Sequence, residues 1–342
     1  MNNPYTPREP VAASAMFFGR AQILADLSGY LVGNQSVSVV GPRQIGKTSL
    51  LCHQLRSESG AAPHSQSDRL LAYLHCAALS SGVPEDLFGI FIETLVTALN
   101  DAGGPALDST AAPTRRAAFE SSVRRINQRG RRVTLILDDF EYLSANPQVD
   151  RSFFNTLRSA AGRYQLSFIT ASAQSLIELT YAHGSLDIVS SPFFNVFALL
   201  TIGLLEEDDA RRLIREPMRE ANQPASPELE DFLYDLAGGH PLALQTACYH
   251  ALNSGGDLNE ITRRTRQDME AHFQSDWERL TDEERDVFAF LSDDWQEELR
   301  RATIYAALRN LSHRGLLILE RGSCRYPSRL WAEFVTGQLR QN

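Results

Sequence analysis

The chain has 342 residues, 43% of them hydrophobic and 22% charged, with a formal net charge of −9. That length carries two or three domains with real cores, and the acidic balance argues against general binding of nucleic acid or anionic membrane by the whole molecule. The four cysteines, Cys52, Cys76, Cys248 and Cys324, are scattered without a C-x-x-C pair, which excludes a zinc ribbon or a disulfide frame and fits a reducing compartment.

Residues 1–15, with three prolines and no signal pattern, are expected to form a loose leader. Met16-Phe17-Phe18-Gly19-Arg20 then opens a helix over Ala21–Leu31, with apolar residues at Ile23, Leu24, Leu27, Tyr30 and Leu31. Phe17 and Phe18 read either as a hydrophobic plug or as a contact on the base side of a nucleotide.

The short strand Val37–Val40 runs into Gly41-Pro42-Arg43-Gln44-Ile45-Gly46-Lys47-Thr48-Ser49, and a helix follows. This fits G-x-x-x-x-G-K-[ST] in its proper strand–loop–helix context. Gly41 and Gly46 let backbone N–H groups face a phosphate chain at a helix N-terminus. Lys47 can reach the β- and γ-phosphates, and the Thr48 hydroxyl can join a Mg²⁺ shell. Lys47 is also the only lysine among the 33 lysines and arginines. A chain that writes every other cation as arginine keeps the compact ammonium at the one place where a guanidinium fork would not fit. The pattern implies nucleotide binding.

Ser57–Asp68 reads as a surface loop, Leu70–Ala77 as a buried strand, Pro84–Leu99 as a helix and Asp101–Pro113 as a flexible connection. Thr114–Gln128 is a basic amphipathic helix whose Arg115, Arg116, Arg124 and Arg125 read as a solvated face. Arg132–Leu137 is a buried strand ending in Asp138 and Asp139, at the edge of a parallel sheet where ligands sit. With the loop upstream this is a Walker B strand. Asp138 is expected to hold Mg²⁺ through water and Asp139 to act as the catalytic base; an aspartate there, shorter than glutamate, predicts slow turnover. Glu141 is expected to face solvent or to serve as a weaker candidate.

After a helix over Asp150–Ala161, the strand Tyr164–Ser172 ends in Thr170 and Ser172, either of which could sense a γ-phosphate or simply donate in a strand-end turn. Arg158 and Arg163 are placed near that same edge as possible fingers for a neighbouring subunit. Phe193–Leu200 reads as the last core strand. Helices follow from Leu204, Pro227 and Pro241, the last behind Gly238-Gly239-His240, and together predict a small helical lid. Helices at Asp282–Leu291 and Ile304–Ser312, strand-like runs at Leu316–Glu320 and Ser323–Pro327, and a helix at Arg329–Leu339 suggest a winged helix. From Arg300 onward, eight arginines against Glu320 and Glu333 give a net +6, leaving −15 for the rest of a chain that totals −9.

Phe18-Gly19-Arg20, the Gly-Pro-Arg-Gln-Ile-Gly-Lys-Thr-Ser loop, Leu137-Asp-Asp-Phe-Glu141, Gly-Gly-His-Pro-Leu242 and the winged-helix-like end together resemble STAND-type ATPases, signal-transduction relatives of the AAA+ ATPases. The resemblance implies an α/β P-loop NTPase parallel sheet over residues 16–200, a helical lid over 201–270 and a winged-helix domain over 271–342. It implies ATP/ADP and Mg²⁺ as cofactors. Gly19 and Arg20 would line the base and ribose, Pro241 would pack on adenine, and Thr170 or Ser172 would take the sensor position. It also implies a switch, closed with ADP and assembling with ATP as a homo-oligomer or with a partner protein. The repeat array and effector domain usual in that family are not found in this sequence. The alternative is a DNA-associated AAA+ ATPase that uses the winged helix and the Arg-rich tail (Arg309, Arg314, Arg321, Arg325, Arg329). A cytoplasmic location and no membrane contact are expected.

Overall fold

The computed structural model describes residues 3–11, 14–59, 68–106, 112–182, 192–291, 302–320 and 323–340, which divide into two compact units. Much of the predicted 57–68 loop, part of the 101–113 connection, residues 292–298, Arg300 and the Arg321-Gly322 turn lie outside the described residues.

The first unit comprises residues 21–41 and 50–202. It holds α1 (Ala21–Val32), β1 (Ser36–Val40), most of α2 (Lys47–Ser59), β2 (Arg69–His75), α3 (Pro84–Asp101) and α4 (Arg115–Gln128). It continues with β3 (Arg132–Asp138), α5 (Glu141–Ser144), α6 (Arg151–Arg163), β4 (Leu166–Ser172), α7 (Leu176–Ala182) and β5 (Phe197–Thr201). The strands pair in parallel in the order β2-β3-β4-β1-β5. β3 and β4 are almost wholly buried, as near-continuous apolar runs of a two-faced parallel sheet must be. One face packs Leu135, Leu137 and Phe168 against a core of Phe88, Phe91, Phe119, Phe153 and Phe154 from α3, α4 and α6.

Helix boundaries follow capping chemistry. Thr114 and Asp150 sit just outside α4 and α6 and accept from Ala117 N–H and Phe153 N–H, so each helix begins one residue later than periodicity alone suggests. The predicted strand Phe193–Leu200 is corrected: Pro192–Val196 winds as a 3₁₀ turn whose Phe193 ring is buried against Phe154 and Phe168, and extended backbone starts only at Phe197. Packing of the ring overrides its strand preference.

The second unit comprises residues 1–20, 42–49 and 203–342. Its helices are α8 (Glu207–Glu220), α9 (Pro227–Ala237), α10 (Pro241–Asn253), α11 (Leu258–Glu278), α12 (Asp282–Leu291), α13 (Ala302–His313) and α14 (Arg329–Leu339). Strands β6 (Ile318–Glu320) and β7 (Ser323–Arg325) pair antiparallel between the last two. From α12 onward the described elements run helix, helix, two-stranded hairpin, helix. Helix α11 runs straight through residue 270, the expected end of the lid, and buries Ile261, Thr265, Met269, Phe273 and Trp277.

Lid and C-terminal helices share one apolar core, from Leu213, Leu236 and Leu244 to Phe288, Leu311 and Trp331. The Gly-Gly turn explains how closely they meet. Gly238 has φ +61°, and a Cβ there would overlap the Pro327 carbonyl; a Cβ on Gly239 would overlap the Leu205 carbonyl. Only glycine fits twice in succession. Among the described residues no helix is long and apolar enough to cross a membrane.

The leader is not loose. Tyr5 is 1% exposed within the core of the second unit, Asn3 donates to the Tyr249 carbonyl at 3.0 Å, and the Val11 N–H donates to Ser49 Oγ at 3.0 Å. Apolar burial of one aromatic ring outweighs the loop preference of the prolines around it.

Candidate nucleotide site

Two groups of residues are the candidates for the chemistry. The first is the loop that leaves β1. At its root the Gly41 N–H donates to the Ser172 carbonyl at 3.1 Å, and the Ile202 N–H donates to the Val40 carbonyl at 2.8 Å, so both neighbouring strands hold the end of β1. Gln44 and Gly46 take φ +60° and +99°, the left-handed steps that turn successive amides inward. A left-handed glutamine costs about 1 kcal/mol, a strain typical of functional loops. Ile45 is fully buried and anchors the turn, whereas Arg43 is exposed. Lys47 is 6% exposed, and its Nζ curls back to the Pro42 carbonyl at 2.8 Å. Thr48 is half-buried at the first turn of α2, and the Ser49 hydroxyl accepts from the N-terminal segment.

Gly19 and Arg20 belong to the same unit, with φ +72° and +67°. A Cβ on Gly19 would stand 2.6 Å from Asp209 Oδ2, so the glycine admits the acidic first turn of α8. The Arg20 guanidinium donates to the carbonyls of Gly203 at 2.6 Å, Leu204 at 3.1 Å and Ile45 at 3.4 Å. Burial pushes its pKa down to about 10 against the opposing pull of Asp209 and Glu206. Arg20 thus staples the loop after β1 to the segment that leads into α8. Phe18 is buried with Arg212 over its ring, so the hydrophobic plug is the role its surroundings give it. Pro241 occupies the first turn of α10, directly after His240, whose Nδ1 accepts from Ala243 N–H at 3.5 Å. Burial, then the charges of His272 and Arg20, hold His240 well below the usual histidine range.

The second group lies at the C-terminal edge of the sheet. Asp138 is 0% exposed; its Oδ2 accepts from the Tyr73 hydroxyl at 2.8 Å and its Oδ1 from the Asp139 N–H at 3.1 Å. Asp139 leaves the strand at φ +50°, and its Oδ2 lies 3.0 Å from His75 Nε2. Because His75 Nδ1 accepts from Ala77 N–H at 3.3 Å, Nε2 is the nitrogen that carries the proton and donates. Burial, then Asp138, raises the Tyr73 phenol above its ordinary range, so it stays a donor. Tyr73 and His75 were missed in the sequence. Their signal is there: two polar rings at period two near the end of an apolar strand, with His75 in register with Asp138.

Glu141 does not face solvent: it accepts from the Ala173 N–H and ties the turn after β3 to the end of β4. Thr170 and Ser172 are both fully buried. Thr170 pairs in register with Leu137, so it lies on the sheet face opposite Asp138, and the Ser172 hydroxyl already donates to the Gln174 carbonyl at 2.7 Å. Arg158 and Arg163 are not at this edge. Arg158 lines a cavity of about 700 Å³ with Asn34, Ser36 and Leu166, at the opposite ends of β1 and β4, and Arg163 pairs with Glu120 at 3.3 Å. Helix α6 runs back across the sheet and delivers its C-terminal arginines to the strands' starting ends. In the C-terminal region Arg314 pairs with Glu284 at 3.0 Å, Arg325 with Glu320 at 2.9 Å and Arg329 with Asp235 at 2.8 Å. Three arginines of the expected basic tail are therefore ion-paired within their own unit.

Residues 114–294, more than half of the chain and including the Asp138-Asp139 pair and the Gly-Gly-His-Pro turn, match the family model described as Novel STAND NTPase 2. The chain belongs to this family. This STAND NTPase has the P-loop NTPase fold and is similar to a solved Walker-type ATPase of Pyrococcus abyssi, with a TM-score of 0.70 at 15% identity over 96% of this chain and 99% of that one. It is also similar to the Aeropyrum pernix ORC2 protein solved in ADPNP–ADP complexes, with a TM-score of 0.57 at 14% identity over 99% and 97%. At such identities the likeness is one of fold. A search of curated proteins finds no match for the sequence.

Proposed function

We propose that this STAND NTPase binds ATP with Mg²⁺, hydrolyses it slowly and acts as a nucleotide-dependent switch for self-assembly or partner recruitment. The observation that carries this reading is the Arg20 staple, which joins the Ile45 carbonyl of the phosphate loop to the Gly203 and Leu204 carbonyls that open the lid. A change in that loop on gain or loss of a γ-phosphate would be passed to the lid and C-terminal helices as one block, because they share one core.

In this reading the loop amides and Lys47 bind the phosphates, Lys47 exchanging its Pro42 carbonyl for a phosphate oxygen. Asp138 would hold Mg²⁺. The donor set of Asp138 supports this, since both oxygens are oriented by neutral donors. Bound there, the ion would neutralise charge on the β- and γ-phosphates. Asp139 would accept a proton from the attacking water, with His75 fixing its direction. Gly19 and Pro241 would flank the base. ADP would favour the closed monomer, and ATP the assembling form.

The test is solution mass by light scattering, first with ADP and then with a non-hydrolysable ATP analogue. A defined larger species only with the analogue supports the switch; the same mass in both overturns self-assembly as its output.

A second reading, binding to duplex DNA through α13, is favoured by one observation. Tyr305 is 60% exposed there, and Arg309 and Asn310 are exposed one turn on. Against it stand the ion pairs of Arg314, Arg325 and Arg329. Binding that falls steeply with salt and is lost in Arg309→Ala would favour this reading over the first.

A further inference from the structure

The two edge residues Tyr73 and His75 each address a different carboxylate, and Tyr73 addresses the one that is buried. Tyr73 stands opposite Ile136 on the neighbouring strand, two residues before Asp138, so alternation places Tyr73, His75 and Asp138 on one face of the sheet. Its hydroxyl meets Asp138 Oδ2 at 2.8 Å while the Asp139 N–H meets Oδ1 at 3.1 Å. Each oxygen therefore has a donor, and the carboxylate plane is fixed from both sides. An aspartate at a strand end with only its backbone neighbour would keep its side-chain torsions free. A carboxylate that must bind a hard cation loses affinity when it has to be ordered at the moment of binding, and outer hydrogen-bond partners of ligating groups are the usual remedy.

We propose that Tyr73 is a positioning residue for divalent-cation binding: it holds the Asp138 carboxylate in the orientation in which it receives the Mg²⁺ of a Mg²⁺–nucleotide. The inference rests on the ATP site proposed above and extends it to a residue on β2 that belongs to neither motif. Tyr73 does not touch nucleotide or reacting atoms; it acts through Asp138. The role requires the hydroxyl and not the ring, so phenylalanine keeps the packing and removes the function.

The experiment is a Mg²⁺ titration of the affinity for a fluorescent ADP analogue, in the wild-type chain and in Tyr73→Phe, with EDTA as the metal-free reference. Tyr73→Phe is expected to bind the analogue as wild type does in EDTA and to need about ten-fold more Mg²⁺ for half of the Mg²⁺-dependent gain. Asp138→Asn alone should remove most of that gain, and adding Tyr73→Phe to it should change nothing more, a double-mutant cycle that isolates the pair even if each single variant loses some stability. Equal Mg²⁺ midpoints for wild type and Tyr73→Phe would overturn the role of Tyr73 while leaving the nucleotide site standing. A Tyr73→Phe effect that persists undiminished in the Asp138→Asn background would overturn it as well, because the hydroxyl would then act elsewhere. Wild-type affinity that ignores Mg²⁺ altogether would instead remove the proposed metal site on which the inference rests.

Discussion

The Tyr5 hydroxyl donates to the Leu213 carbonyl at 3.0 Å, four residues before Pro217 in helix α8. In an unbroken helix that carbonyl would receive the N–H of residue 217, which proline lacks. Tyr5 also lies 2.9 Å from the Ile214 carbonyl. The N-terminal segment thus supplies from outside the donor that the helix gave up, which explains both a proline inside α8 and a tyrosine buried among leader residues.

Tyr5→Phe keeps the ring and strands the Leu213 carbonyl. It should destabilise the protein by about 1–3 kcal/mol, read as a lower midpoint in thermal unfolding with the nucleotide-free chain. An unchanged midpoint would mean that the hydroxyl merely accompanies the buried ring.

Gly238→Ala forces a Cβ into the Pro327 carbonyl at φ +61° and should cost about 3 kcal/mol or more. Gly255→Ala is the control. It has a similar φ of +63° and open space around it, so it should cost only about 1 kcal/mol. Equal losses for the two would show that backbone strain, not the contact between lid and C-terminal hairpin, decides the position.

Acidification should weaken the second unit through its buried histidines. His240 and His272 both lie below the histidine range chiefly because burial disfavours the cation, so near neutral pH the folded protein keeps them neutral. As pH falls through the unfolded value of about 6.5, the unfolded chain takes up protons that the folded one refuses, and stability drops. Asp276, 3.3 Å from His272, is shifted the other way by burial. It binds its proton more tightly when folded, so its contribution has the opposite sign and falls in the lower window just above the ordinary carboxylate range. Melting at pH 7.5 and 5.5 should show a lower midpoint at 5.5, with a smaller drop in His240→Asn, which keeps a capping acceptor without the titration. The same drop in both proteins would exclude His240 as its source.

His75→Ala should leave ATP affinity near the wild-type value and lower kcat about ten-fold, because Asp139 would lose the donor that directs it. A raised KM with unchanged kcat would reassign His75 to binding.

The strand–loop–helix passage from β1 into α2, the Asp138-Asp139 strand end and the alternation of strands and helices were legible because each is local: a spacing, an apolar run, a cap. What escaped was set by tertiary partners. The prolines of the leader suggested a loop, and nothing local announces that Tyr5 completes a helix more than 200 residues away. Helix α11 has a regular four-residue buried stripe, Ile261, Thr265, Met269, Phe273 and Trp277, but Thr265 and the long charged face around it mask the period. The C-terminal arginines form a basic run in sequence, but Arg314, Arg325 and Arg329 are held in internal ion pairs, with partners as distant as Asp235. The placement of Arg158 failed for a topological reason, since a helix returning across a parallel sheet ends where the strands begin.

The measurement that bears most directly on the central claim is the affinity of Mg²⁺–ATP for the wild-type chain and for Lys47→Ala by titration calorimetry. The account predicts micromolar binding by wild type and a loss of about 100-fold or more in Lys47→Ala, with the fold intact by circular dichroism. Undiminished binding by the folded variant would contradict it, and with it the assignment of the loop after β1 as the phosphate site.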